Sequence, residues 1–166
     1  MFELLPVPRT LYSAEIPAIY RTIAADPRAD IRVLELPFGL RDGTSSLGDF
    51  TARTQYFQTA HGKAILGGYL SRVSPQRRRQ ARETPVLSAF ITLSERRPLT
   101  EAQAFAATEK ADEFLRRTRL GYVVVDETRA SPPLVGFAID LLGLTLVERE
   151  GPMALYVPRA PSPPAR

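Results

Sequence analysis

A three-layer α/β domain with a mixed, mainly parallel sheet and a C-terminal β-hairpin is the fold class that the sequence predicts. Three observations carry it. Helix-patterned and strand-patterned segments alternate along most of the chain, which argues for a largely parallel sheet with helices on its faces. Tyr122-Val123-Val124-Val125 is a continuous apolar run, the pattern of a strand covered on both sides. Near the end, two apolar segments at 144–148 and 154–157 flank Glu150-Gly151-Pro152, and that pattern reads as two strands joined by a turn.

The elements follow in order. Ser13 is placed to cap a first helix with Pro17 in its opening turn and Ile16, Ile19, Tyr20 and Ile23 on one face, stopped by Asp26-Pro27. Ile31-Arg32-Val33-Leu34-Glu35-Leu36, bounded by Pro37, predicts a strand. A glycine-rich loop, 39–48, then leads into a helix capped by Asp49 and running to His61, with Phe50, Thr54, Phe57 and His61 on one side. Ala64-Ile65-Leu66 predicts a short strand ended by Gly67-Gly68. Residues 75–84 predict a loop or frayed helix start, and 85–93 a buried helix. The strongest helix runs from Thr100 to Arg119: Thr100 caps it, Glu101 lies early, and Arg116, Arg117 and Arg119 complement the dipole at its end. Its predicted buried stripe includes Phe105, Ala106, Phe114 and Leu115, and Gly121 ends it. Ser131-Pro132 opens a last helix that reaches Leu142. The proline-rich ends divide the chain into a linker (1–10), one α/β domain (11–158) and a disordered tail (159–166).

Composition removes whole classes of chemistry. The chain has 166 residues with no cysteine and one histidine, so there is no disulfide framework, thiol nucleophile or two-histidine metal site, and neither metal nor cofactor is expected. The formal charge of +4 comes almost entirely from arginine, since Lys63 and Lys110 are the only lysines. Arg77-Arg78-Arg79 and Arg82 cluster without an interleaved aromatic, which reads as a solvated, mobile loop and gives no expectation of a nucleic-acid partner. The best candidate for a membrane span, 134–147, is shorter than the about 20 apolar residues required and is broken by Asp140. The first eight residues lack the basic and apolar regions of a signal peptide. The chain taken by itself therefore reads as soluble and cytoplasmic.

In sheets of this kind ligands sit outside the carboxyl ends of the strands, which directs attention to the loops after Leu36, Leu66 and Val125. In the first, Arg41, Ser45 and Ser46 suit a phosphate group, whereas Asp42 and Asp49 oppose one. The glycine spacing there matches no nucleotide-binding pattern. Gln58-Thr59-Ala60-His61-Gly62-Lys63 joins the sole histidine to a lysine. His61 is a candidate acid or base, although no nucleophile accompanies it, and the alternative is that it holds a loop through a carbonyl. After Gly67-Gly68, Tyr69 and Arg72 offer a stacking and an anion-pairing group, or else Tyr69 closes the core over a tight turn. Glu35 and Asp126 both stand at strand ends and either converge on a magnesium ion or belong to solvated loops.

Four strings carry a family resemblance: Tyr20-Arg21-Thr22-Ile23-Ala24-Ala25-Asp26-Pro27, Arg32-Val33-Leu34-Glu35-Leu36-Pro37, Gln58-Thr59-Ala60-His61-Gly62-Lys63 and Gly67-Gly68-Tyr69-Leu70. Together they resemble the C-terminal, extracytoplasmic domain of multi-pass bacterial membrane proteins related to the lipid-linked-sugar glycosyltransferases of the GT-C type. The likeness extends through Tyr122-Val123-Val124-Val125-Asp126 to Leu155-Tyr156-Val157; many of those proteins read His-x-Lys-Pro where this chain has His61-Gly62-Lys63-Ala64. The resemblance implies an accessory, substrate-facing domain, with catalysis on loops between transmembrane helices. The expectation is a non-catalytic domain, cut from or descended from such a protein, that contacts glycan or sugar-phosphate through Arg41, Gln58, His61, Lys63, Tyr69 and Arg72. Its other partner would then be the transmembrane part and its location the extracytoplasmic face. Two alternatives stay open: a free-standing enzyme acting on a phosphorylated small molecule with His61 as acid or base, and a structural or partner-binding module with no small-molecule site.

Overall fold

A computed structural model describes residues 15–162. The elements are helix α1 (Ile19–Ala25), strands β1 (Arg32–Leu36), β2 (Gly39–Arg41) and β3 (Ser46–Gly48), helix α2 (Ala52–His61), strands β4 (Ala64–Leu66) and β5 (Gly68–Tyr69), helices α3 (Pro75–Glu83), α4 (Pro85–Ser94) and α5 (Glu101–Thr118), strand β6 (Leu120–Asp126), helix α6 (Pro132–Leu142), and the hairpin β7 (Thr145–Glu150) and β8 (Met153–Val157).

The main sheet has the order β4-β1-β6-β8-β7. β1 pairs in parallel with β4 and β6, while β8 lies antiparallel to both β6 and β7, so β8 alone runs against the other four strands. Side chains alternate across this sheet. Leu34, Leu36, Val123, Val125, Ala154 and Tyr156 face a core built with α4, α5 and α6. Val33, Tyr122, Val124, Met153 and Leu155 face a second core built with α1 and α2. Helices thus cover both faces, and the predicted α/β class with its C-terminal hairpin is observed.

Several boundaries differ from expectation, each for a local reason. The expected Ser13 cap lies outside the described residues, and Pro17 precedes α1 in a turn rather than opening it. Thr51, not Asp49, caps α2, its hydroxyl accepting from the Arg53 amide. The glycine-rich segment is a hairpin, β2–β3, in a small sheet of order β3-β2-β5 that the sequence did not announce. The arginine run forms helix α3 instead of a loop, because Ser74 caps the Arg77 amide and Pro75 sits at the first turn. Arg119, in the left-handed conformation, ends α5, and Gly121 lies inside β6, where a Cβ would meet Ile31 at 2.7 Å. On α5 the buried stripe is Ala107, Ala111, Phe114 and Leu115; Ala106 lies off it and Phe105 is 69% exposed. Ala107 and Ala111 let α5 approach α4 closely, and that sets which face turns inward. The start of the tail is held against α5: Arg159 pairs with Asp112 at 2.6 Å, and Arg116 donates to the Ser162 carbonyl at 2.6 Å.

Two glycines separate backbone strain from crowding. Gly48 (φ +70°) would place a Cβ 2.1 Å from the Phe38 carbonyl oxygen, whereas Gly62 (φ +67°) has nothing within 4 Å of that position. Gly62→Ala is expected to cost about 1 kcal/mol from its left-handed φ alone. Gly48→Ala adds a backbone clash and should cost at least about 2 kcal/mol more in urea unfolding.

Candidate functional site

The predicted ligand residues fall into two groups at opposite ends of β4. Gln58, His61 and Lys63 lie at the amino end of the parallel strands, where side chains hold the fold together. Lys63 is 8% exposed, and its ammonium donates to the carbonyls of Asp26 at 2.6 Å and Arg28 at 2.8 Å, tying down the turn that enters β1. Gln58 donates to the Lys63 carbonyl at 3.1 Å. His61 is 5% exposed, its Nδ1 accepting from the Lys63 amide at 3.1 Å and its ring stacked on Tyr20. Burial and the neighbouring Lys63 charge hold the imidazole down at about 4, so it is neutral at physiological pH. Nδ1 is then the acceptor and Nε2 carries the proton, buried and without a hydrogen-bond partner among the described residues. These three side chains are turned into the protein and do not form a ligand-contacting cluster with Arg41, Tyr69 and Arg72.

Arg41, Tyr69 and Arg72 lie beyond the other end of the sheet. Arg41 and Tyr69 are register partners on β2 and β5. Both are exposed, Tyr69 by 42%, so Tyr69 does not close the core. The paired glycines serve packing: a Cβ on Gly67 would come 2.5 Å from the Gly39 carbonyl oxygen. Asp42 organises this region. Its Oδ1 accepts from the amides and hydroxyls of Thr44 and Ser45, and its Oδ2 from the Val73 amide at 2.7 Å and from Arg78 at 3.5 Å. The Val73 and Thr44 amides hold its carboxyl well below the usual carboxylate range.

A crevice opens at the carboxyl ends of β1 and β6, the position that open parallel sheets favour for ligands. Glu35 and Asp126 lie on its floor, with Thr51, Arg53 and Thr54 of the α2 amino end and Arg129 among its walls. Its volume of about 40 Å3 admits a hydroxyl-sized group rather than a whole ring. Glu35 and Asp126 project from the same sheet face, because β1 and β6 run parallel with Leu36 opposite Val125. Glu35 is 8% exposed, and both its oxygens accept from the Tyr20 hydroxyl, at 3.0 and 3.1 Å. Burial pushes its carboxyl up to about 8, against the Tyr20 bond and with the Asp126 charge adding to the rise. Arg129 pairs with Asp49 at 2.6 Å, and Arg53 lies over the Phe57 ring at 5.4 Å. Among the described residues no group of three or more acidic or histidine side chains could hold a metal ion. Glu35 and Asp126 therefore meet in one crevice without completing a metal centre.

Arg53 and Arg129 are the residues that sequence reasoning missed. Arg129 stands three residues after Asp126 in a strand-end loop, so the loop rule had the signal to find it. Arg53 carries no local signal, because its place depends on how α2 crosses the sheet. No helix among the described residues is long and apolar enough to cross a membrane. No family model, curated protein or solved structure matches the chain.

Two measurements separate these roles. A raised carboxyl keeps its proton on folding, so the contribution of Glu35 to stability is fully present below about pH 4.5 and is lost as pH rises toward 8, because the unfolded chain ionises first. Glu35→Gln should therefore raise the melting temperature at pH 8, by up to about 4 kcal/mol of stability, and leave it nearly unchanged at pH 4.5. Lys63→Met, which strips two carbonyls of their donor, should cost about 2 kcal/mol, whereas Arg41→Ala should stay within about 0.5 kcal/mol of the parent in the same unfolding assay.

Proposed function

We propose that this chain is a non-catalytic α/β domain that contacts a glycan or sugar-phosphate at the carboxyl edge of its main sheet. On this reading it belongs to, or descends from, a multi-pass membrane protein of the glycosyltransferase-like kind, with the transmembrane part as its partner and the extracytoplasmic face as its location. The motif strings named above support that lineage. The observation that carries the binding role is the crevice of Glu35, Asp126, Arg53 and Arg129. Carboxylates accept from sugar hydroxyls, guanidinium groups donate to ring and ester oxygens, and a few convergent polar groups fix a ligand's orientation. A space of about 40 Å3 suits one inserted hydroxyl while the sugar lies across the mouth.

One observation favours a second reading, an enzyme acting on a phosphorylated small molecule. Burial holds the proton on Glu35 near neutral pH at the floor of the crevice, as a general acid requires. His61, the expected acid or base, is buried at the other end of the strands and takes no part in this version.

Titration of 15N-labelled protein with a panel of hexoses and hexose phosphates separates the readings. The binding role predicts shifts at the amides of residues 35, 36, 51–54 and 126–129, and at least tenfold weaker binding in Asp126→Asn, a change that keeps the loop's side-chain acceptor. Unmoved amides across the whole panel would refute it. Turnover of any member that vanishes in Glu35→Gln would establish the enzyme instead.

A further inference from the structure

Beside the crevice, over the β2–β3 hairpin, lies a second, open depression of about 360 Å3 lined by Arg41, Ser45, Ser46, Asp49 and Phe50. Sequence alone sets two carboxylates, Asp42 and Asp49, against an anion here; in the folded chain the first is spent and the second is offset. Asp42 is 3% exposed and its oxygens are filled by the Thr44, Ser45 and Val73 amides, two hydroxyls and Arg78. Asp49, its side chain 44% exposed, is paired through Oδ1 with Arg129 at 2.6 Å, which offsets its charge. Against these carboxylates stand free groups that are cationic or hydrogen-bond donating. Arg41 is exposed and has no carboxylate partner among the described residues, and the Ser46 hydroxyl is likewise unpaired. The Tyr69 hydroxyl reaches over Gly43, within 3.6 Å of where a Cβ would stand. The Asp49–Arg129 pair joins the two spaces, since Asp49 lines the depression and Arg129 the crevice.

We infer that this depression is a phosphoryl subsite, with Arg41 as its principal counter-charge and the Ser46 hydroxyl as a further donor, placed to take the phosphate of a ligand whose sugar enters the crevice. The assignment of the sugar end rests on the binding role proposed above; the anion end does not. A guanidinium presents a planar fork that meets two phosphate oxygens at once, and lysine at the same position offers only a point charge.

The test is titration of the full 15N-labelled chain, at low salt, with inorganic phosphate, glucose and glucose 1-phosphate. Phosphate should move the amides of residues 41–50. Glucose 1-phosphate should bind at least tenfold more tightly than glucose, with the advantage shrinking as salt rises. Arg41→Ala should abolish that advantage while its amide spectrum stays folded, and Arg41→Lys should keep part of it. Phosphate that leaves residues 41–50 unmoved, or an advantage that survives Arg41→Ala, overturns the subsite. Phosphate shifts at 41–50 without any sugar shift at the crevice would uphold the subsite and reject the sugar-binding role.

Discussion

The parallel pairing of β1 with β6 is the constraint on which everything else depends. Val33 to Leu36 lie beside Tyr122 to Val125, and the sheet's two faces are sealed by separate cores. A strand buried on both sides has no solvated face, so a polar residue on it must find a partner or lie at its end. Glu35 sits near such an end and has a partner in Tyr20. That single tyrosine spans the α1–α2 face: its hydroxyl meets Glu35, while its ring packs 4.8 Å from Phe57 and stacks on His61. The crevice floor and the buried histidine are therefore parts of one packed unit, although they belong to opposite ends of the strands.

The ionic layout follows a similar economy of place. Several carboxylates are paired with a nearby arginine, as in Arg28–Asp26, Arg129–Asp49 and Arg159–Asp112. Exposed pairs of this kind add little stability, so their consequence is mainly to decide where charge is left over. Among the described residues Arg41 and Arg72, next to the small sheet, have no carboxylate partner, and burial keeps the proton on Glu35 near neutral pH. The amino end of the sheet shows the contrary pattern. There the ammonium of Lys63 is consumed by two backbone carbonyls.

The fold was legible where burial was strong and local. The run at 122–125, the apolar 85–93 segment and the Thr100-capped helix were each apparent, because their pattern and their capping point the same way. Helix α3 was not, although Ser74-Pro75 opens it, since arginines in its first turn oppose the helix dipole and the Arg78–Asp42 contact that offsets this is tertiary. The β2–β3 hairpin carries a turn signal in Asp42-Gly43, but its strands are only three residues long and lack a clear alternation, and its four-residue turn is held by the Asp42 side chain. Arg41 and Tyr69 lie on the small sheet, as register partners of β2 and β5, with Arg72 just after β5. The string around His61 was conspicuous in sequence, yet His61 and Lys63 precede β4, so the rule that places ligands at the carboxyl ends of strands already set them at the other end.

The insertion of β8 between β6 and β7 bears on how the chain reaches this fold during synthesis. β6 acquires its second neighbour only once residues 153–157 have emerged, so until then the edge of a valine-rich strand is unpaired. An open, apolar strand edge is a template for association with other chains. A nascent or C-terminally clipped molecule is thus at its stickiest along Val123–Val125, and the last strand acts as the seal that makes the sheet safe at high concentration.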